Sequence, residues 1–216
     1  MNVDEAKQAV LETAQLLLER GLVSGTSGNV SARVDDGTVC ITPSSVPYET
    51  MTIDDLTIID LDGEVVQARD GRHPSSEKAL HTYAYRSYEE INSVIHAHPV
   101  HTTMFAVVRE PIPAVIDEFA LYVGGDVPVC PYAASGTDEL AKMATEQLAR
   151  VGAALLANHG LVAIGPSTSR ALHITTLVER AAQIVHGAKL LGAPVPLPEK
   201  TNADFAEIYA LLRQTP

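Results

Sequence analysis

Val94-Ile95-His96-Ala97-His98-Pro99 is an apolar run that ends in two histidines spaced i, i+2. Side chains alternate faces along a strand, so His96 and His98 are expected to point the same way. Two imidazoles on one face, at the end of a buried strand, make half of a metal site. A third histidine ends another apolar run, in Ala153-Ala154-Leu155-Leu156-Ala157-Asn158-His159-Gly160. Glu77 follows a Pro74-Ser75-Ser76 turn upstream. Three imidazoles and one carboxylate, with room left for substrate, match the ligand set of a catalytic zinc site. One zinc ion per chain is expected, with Glu77 as the carboxylate of the set.

The remaining histidines fit this scheme less well. His101 extends the spacing to His-x-His-x-x-His, but it lies beyond Pro99, where the strand must break. It reads as a helix-surface residue supporting the site. His81 falls one helical turn after Glu77 and is the reserve ligand. His73, His173 and His186 sit in turn or helical context.

The second chemical feature is a set of small-residue loops: Gly25-Thr26-Ser27-Gly28-Asn29-Val30-Ser31, Thr42-Pro43-Ser44-Ser45 and Pro74-Ser75-Ser76. Each offers hydroxyls or unencumbered backbone N–H groups, and a helix start adds a dipole that favours an anion. Any one alone is ordinary turn punctuation. Three of them beside a metal site point to a phosphate pocket built from neutral donors, since no Lys/Arg cluster is present.

The elements that must position these residues alternate between strands and helices. Helical periodicity runs from about Asp4 to Arg20, with Gly21 as its stop. Residues 39–42 and 56–60 read as strands, and 61–64 as a hairpin turn into Val65-Val66. Ser75 or Ser76 is expected to cap a helix running to about Tyr85. A strand over 93–98 and a short helix over 100–107 follow. Val127–Cys130 reads as an edge strand, because Pro128 removes a donor. Thr137 opens another helix. The strands 153–157 and 161–164 turn at Asn158-His159-Gly160. Ser167 caps a long helix to about Leu191, and a short helix is expected over 202–213.

Bulk properties fit a soluble enzyme. A chain of 216 residues buries one sizeable core, so a single domain over residues 1–216 is expected. No apolar run is long enough to span a membrane. The acidic start, Met1-Asn2-Val3-Asp4-Glu5, lacks the basic opening of a signal peptide. Only Cys40 and Cys130 occur, which suggests a reducing, cytoplasmic setting. The net charge of -12 argues against nucleic acid and anionic membranes as partners.

Taken together, these segments resemble the class II aldolase/adducin family, and most nearly its bacterial branch that cleaves L-fuculose 1-phosphate. The resemblance runs through Gly25–Ser31, Ile41-Thr42-Pro43-Ser44, Pro47-Tyr48-Glu49, Pro74–Glu77, His96-Ala97-His98, Pro131-Tyr132-Ala133, Gly136-Thr137 and Asn158–Leu161. It covers nearly the whole chain, from about residue 10 to residue 190. It implies a three-layer α/β/α fold around a mixed, largely antiparallel sheet, and a cyclic homotetramer with active sites between neighbours. By position, His96, His98 and His159 resemble the family's zinc ligands, and Glu77 its acid/base. Thr26, Gly28, Asn29, Ser44, Ser75 and Ser76 fall where the family holds the phosphate of dihydroxyacetone phosphate. The implied reaction is reversible cleavage of a ketose 1-phosphate to dihydroxyacetone phosphate and a small aldehyde through a metal-stabilised enediolate.

Two departures stand out. Ser45 takes a phosphate-loop place where the family usually has Gly, which makes that backbone less permissive. Glu118 stands where the branch offers a neighbour's tyrosine near the aldehyde, with Tyr122 one turn away. Competing expectations are an L-ribulose-5-phosphate 4-epimerase, a methylthioribulose-1-phosphate dehydratase, and an adducin-like binding module. The epimerases typically carry Asp where this chain has Glu77. A binding module has no need of three histidines and an acid.

Overall fold

The computed structural model describes residues 1–35 and 37–215. An N-terminal helix α1 (Val3–Glu19) starts from a capping box in which Asn2 and Glu5 satisfy each other's backbone N–H groups. It leads into strands β1 (Asn29–Arg33), β2 (Val39–Ile41), β3 (Thr57–Ile59) and β4 (Val65–Gln67). Helix α2 (Lys78–Ser87), strand β5 (Ser93–Ala97), and helices α3 (Val100–Val108) and α4 (Asp117–Val123) follow. The chain continues with β6 (Val129–Cys130), α5 (Asp138–Gln147), β7 (Ala153–Leu156), β8 (Gly160–Gly165), α6 (Thr168–Leu191) and α7 (Glu199–Leu212). No helix among the described residues is long and apolar enough to cross a membrane.

The strands form one sheet in the order β4-β3-β2-β1-β5-β8-β7-β6. Every pairing is antiparallel except β6 with β7, so the sheet is mixed and largely antiparallel, as expected. Alternation along the strands decides the layers. Val30, Ala32, Ile95 and Ala97 pack with α1, while Leu161, Ala163, Ala153 and Leu155 pack with α3, α4 and α6. Val94, Val162, Ile164, Ala154 and Leu156 point the other way, into a core shared with α2 and α5. The result is a three-layer α/β/α fold. Burying one of the larger of these side chains, such as Ile95 or Leu161, contributes ~1.5–3 kcal/mol. A one-residue slip would exchange the two faces and is strongly opposed. That opposition also holds His96 on the α2 side of β5.

Three local expectations are corrected. Residues 29–31, expected as part of a loop, form most of β1 at the centre of the sheet. Asn29 and Ser31 face the α2 side, so the strand lacks the apolar alternation that would reveal it. Helix α2 starts at Lys78, and neither Ser75 nor Ser76 is its cap. Ser75 is instead tied back to the sheet, its N–H donating to the Thr42 carbonyl beside a Pro43–Pro74 bridge. Helix α4, seven residues long, is missing from the elements read from periodicity, because it is too short to show a period.

Candidate active site

The antiparallel neighbours β1, β5 and β8 bring the candidate residues to one end of the sheet. Asn29 pairs with His96 across β1 and β5, and His96 pairs with Val162 across β5 and β8. His98 lies just past the end of β5. His159 sits in the β7–β8 turn, made possible by Asn158 in the left-handed conformation at φ 58°. The three rings converge, with centroids 4.5 Å apart for His96–His98, 4.6 Å for His96–His159 and 5.1 Å for His98–His159. One ring nitrogen from each lies within 4.8 Å of the others. Gly160 permits this approach: a Cβ there would meet the Ala97 carbonyl oxygen at 2.5 Å and His98 Cδ2 at 2.7 Å.

These nitrogens suit a metal. His96 Nδ1 donates to the Leu161 carbonyl at 2.9 Å, which fixes the ring and turns Nε2 toward Glu77. His96 Nε2 is buried 2.9 Å from Glu77 Oε2, but the contact is not aligned as a hydrogen bond. His98 Nδ1 is buried with no hydrogen-bond partner. Burial, and then the neighbouring His96 and His159, push the His98 pKa down to about 3. Burial and His96 likewise lower that of His159. His98 and His159, kept unprotonated and clustered with His96, offer the lone pairs a divalent ion requires. An unpaired buried nitrogen would otherwise cost ~1–3 kcal/mol.

Glu77 stands over this cluster at the N-cap position of α2, and its side chain does not cap the helix. Its Oε1 lies 3.6 Å from His159 Nε2 and accepts the Ser135 hydroxyl at 2.7 Å. Its Oε2 accepts from Asn29 Nδ2 at 3.2 Å. Burial alone would raise its pKa, but the His96 contact and the Ser135 hydroxyl outweigh it. The carboxyl is held well below the usual carboxylate range.

The small-residue loops lie together behind Glu77. Ser44 N–H donates to the His73 carbonyl, and Ser75 N–H to the Thr42 carbonyl, which stitches loop 42–45 to loop 73–76. Thr42 Oγ1 accepts from Val30 N–H, and this joins the first loop to the same cluster. Thr26, Ser44, Ser45 and Ser76 are exposed, while Ser75 is buried and its Oγ accepts from Glu77 N–H. Gly28 is at φ 80°, and a Cβ there would meet the His96 carbonyl oxygen at 2.8 Å. Ser45 adopts φ 60°, a conformation that favours glycine.

Other expectations are redirected. His81, the reserve ligand, is fully buried with both ring nitrogens in hydrogen bonds, to Asn29 and Ser31, and stands outside the histidine cluster. His101 accompanies Glu179, whose carboxylate accepts the His101 and Thr102 backbone N–H groups at the start of α3. Glu118 and Tyr122 lie on α4 against α6. Glu118 is 3.6 Å from Arg180, and the Tyr122 ring meets His173 edge-on at 4.9 Å. Within one chain the described contacts do not join either to His96, His98 or His159. Ser135 is the site residue the sequence reading missed. It lies in a Pro/Ala/Ser/Gly loop, where the only cue is Gly136, at φ 75°, closing on the Ser76 carbonyl. A cleft of about 760 Å³ by Gly124, Arg150, Asn202, Tyr209 and Arg213 shares no residue with this site.

Comparison with known proteins agrees with this geometry. Residues 8–186 match the model of the Class II Aldolase and Adducin N-terminal domain. An L-fuculose phosphate aldolase of Escherichia coli O6:H1 is 36% identical over 91% of this chain and 90% of its own length. A 5-deoxy-D-ribulose 1-phosphate aldolase of Bacillus thuringiensis is 34% identical over 97% of each. An L-ribulose-5-phosphate 4-epimerase of Salmonella paratyphi C is 36% identical over 84% of each. A solved L-fuculose 1-phosphate aldolase superposes with a TM-score of 0.90 at 36% identity, over 95% of this chain and 96% of that one. Match length, identity and fold place this chain in the class II aldolase and adducin family, as an enzyme of the aldolase type.

Proposed function

We propose that the protein is a zinc-dependent aldolase that cleaves a ketose 1-phosphate, L-fuculose 1-phosphate or a related sugar, to dihydroxyacetone phosphate and a small aldehyde. The observation that carries this reading is the Glu77 carboxylate, 2.9 Å from His96 and 3.6 Å from His159, with three small-residue loops stitched behind it. His96, His98 and His159 would hold one zinc ion per chain, with Glu77 as a further ligand in the resting enzyme. When bound there, zinc supplies a Lewis acid for the ketone oxygen. As the C3–C4 bond breaks, its electron pair goes to C3 and the C4 hydroxyl gives up its proton to form the aldehyde carbonyl. Glu77, released toward substrate and taking up that proton, would return it to C3; in synthesis it would take the C3 proton and the new hydroxyl would receive it. Thr26, Gly28, Ser44, Ser45, Ser75 and Ser76 present neutral donors to the phosphate. Asn29 Nδ2 donates one hydrogen to Glu77 and has a second to offer the phosphate.

The aldehyde end is assigned to Glu118 and Tyr122 of a neighbouring subunit in a cyclic homotetramer. In support, an apolar groove opens beside His98 along the exposed face of α3, lined by Val100, Met104, Val107 and Val108. Exposed apolar area of this kind is the usual mark of a subunit contact. Two free, buried cysteines accord with a cytoplasmic setting.

A panel of ketose 1-phosphates, each beside its unphosphorylated sugar, tests the reading. Hydrogen bonds to a charged group are worth about 1.5–3 kcal/mol each. Two of them make the phosphorylated sugar a better substrate by about 10²-fold or more. Equal rates would remove the phosphate pocket, and an epimerised sugar with no released aldehyde would replace the aldolase by an epimerase.

A further inference from the structure

Behind Glu77 a file of buried polar groups runs into the core. Asn29 Nδ2 is 3.2 Å from Glu77 Oε2, and Asn29 Oδ1 is 2.5 Å from His81 Nε2. His81 Nδ1 is 2.6 Å from Ser31 Oγ, which is 2.7 Å from the Tyr85 hydroxyl. Asn29, Ser31, His81 and Tyr85 are all at most 4% exposed. Groups this deeply buried are paired, so each bond must have one donor and one acceptor.

The direction of every bond follows from Glu77. An ionised carboxylate only accepts, so the Asn29 atom beside it must be the N–H group. The oxygen of the same amide then faces His81, and Nε2 of that imidazole must carry a proton to donate. A neutral imidazole holds one proton, so Nδ1 is bare and accepts from Ser31, whose oxygen accepts from Tyr85. Burial, reinforced by His96, keeps the ring neutral. With the opposite tautomer, His81 Nε2 and Asn29 Oδ1 would be two acceptors face to face. The amide would then be driven to flip its oxygen toward Glu77.

We infer that His81 is a positioning residue: its Nε2–H tautomer, with Nδ1 accepting from Ser31, locks the Asn29 amide and so holds the Glu77 carboxylate in its working rotamer. The inference rests on the assignment of Glu77 as the acid/base. It gives a role to Ser31, His81 and Tyr85, the polar row that stands behind Asn29. Groups that orient an active-site side chain in this way typically carry about 10–100-fold in activity.

The test uses the zinc-loaded enzyme. Nitrogen-15 NMR of ring-labelled histidine reads the tautomer, and the signals lost in His81→Gln identify the residue. The expected pattern is a protonated Nε2 and a bare Nδ1; a protonated Nδ1 overturns the inference. In kinetics, His81→Leu should lower kcat about 10–100-fold with KM for the ketose phosphate within about threefold. His81→Gln, whose amide N–H can still donate to Asn29, should recover most of kcat. If His81→Leu does not fold, the tautomer and the Gln variant still decide. If His81→Leu keeps the wild-type kcat while Glu77→Gln loses activity, this inference falls and the aldolase reading stands. If Glu77→Gln keeps its activity, the reading itself falls, whatever the tautomer.

Discussion

Glu77→Gln should lose aldol cleavage by about 10²–10⁴-fold while keeping its zinc, the effect of removing a positioned general acid/base. The substitution keeps shape and most of the hydrogen bonding. The amide oxygen can take the place of Oε2 beside Asn29 and His96, and the amide N–H₂ can face the Ser135 oxygen. His96, His98 and His159 remain to hold the ion. Metal analysis and steady-state rates on the same preparation check both halves. A variant that cleaves at the wild-type rate means that another base does the work, and Glu118 is then the next to replace.

The second large effect is expected at His98→Ala. His98 Nδ1 is a buried nitrogen without a hydrogen-bond partner, and the ring is one wall of the three-histidine cluster. Removing it leaves two imidazoles and Glu77, and a Glu77 needed to hold the ion is no longer free to move the proton. A Lewis acid supplies several kcal/mol of charge stabilisation, so cleavage should fall by about 10³-fold or more. The fold should persist, because the neighbouring strands β5 and β8 are held by their own ladder and core. Zinc content after dialysis and circular dichroism test the two statements together. Full metal occupancy in the variant would mean that the ligand set is wrong.

Which of these residues the sequence discloses depends on how each is held. His96 and His98 end an unbroken apolar run, and His159 ends another, so strand periodicity alone places them at strand ends. Glu77 is different. It sits in a turn before a helix, and only its company in Pro74-Ser75-Ser76 singled it out. The sheet's central strand β1 stayed hidden because Asn29 and Ser31 face inward. Its inward residues are polar and satisfied by α2, which defeats a reading built on apolar alternation. Ser135 is beyond reach from spacing, since its bond to Glu77 spans 58 residues and depends on loop closure. The start of α2 was misplaced because a serine before a helix reads as a cap. Here Ser75 is taken up by a tertiary bond to Thr42. The layers were legible where burial decides, and the hydrogen-bonded interior of the site was not.

The central claim is that Glu77 moves a proton at a carbon activated by an ion on the three histidines. Proton exchange tests it without any aldehyde. Dihydroxyacetone phosphate is incubated in heavy water with the zinc-loaded protein, with the chelator-stripped protein, and with Glu77→Gln. The predicted result is deuterium uptake at the hydroxymethyl carbon by the loaded protein, lost on stripping, restored by zinc, and absent in Glu77→Gln. Uptake at the same rate after stripping, or in Glu77→Gln, would contradict the account.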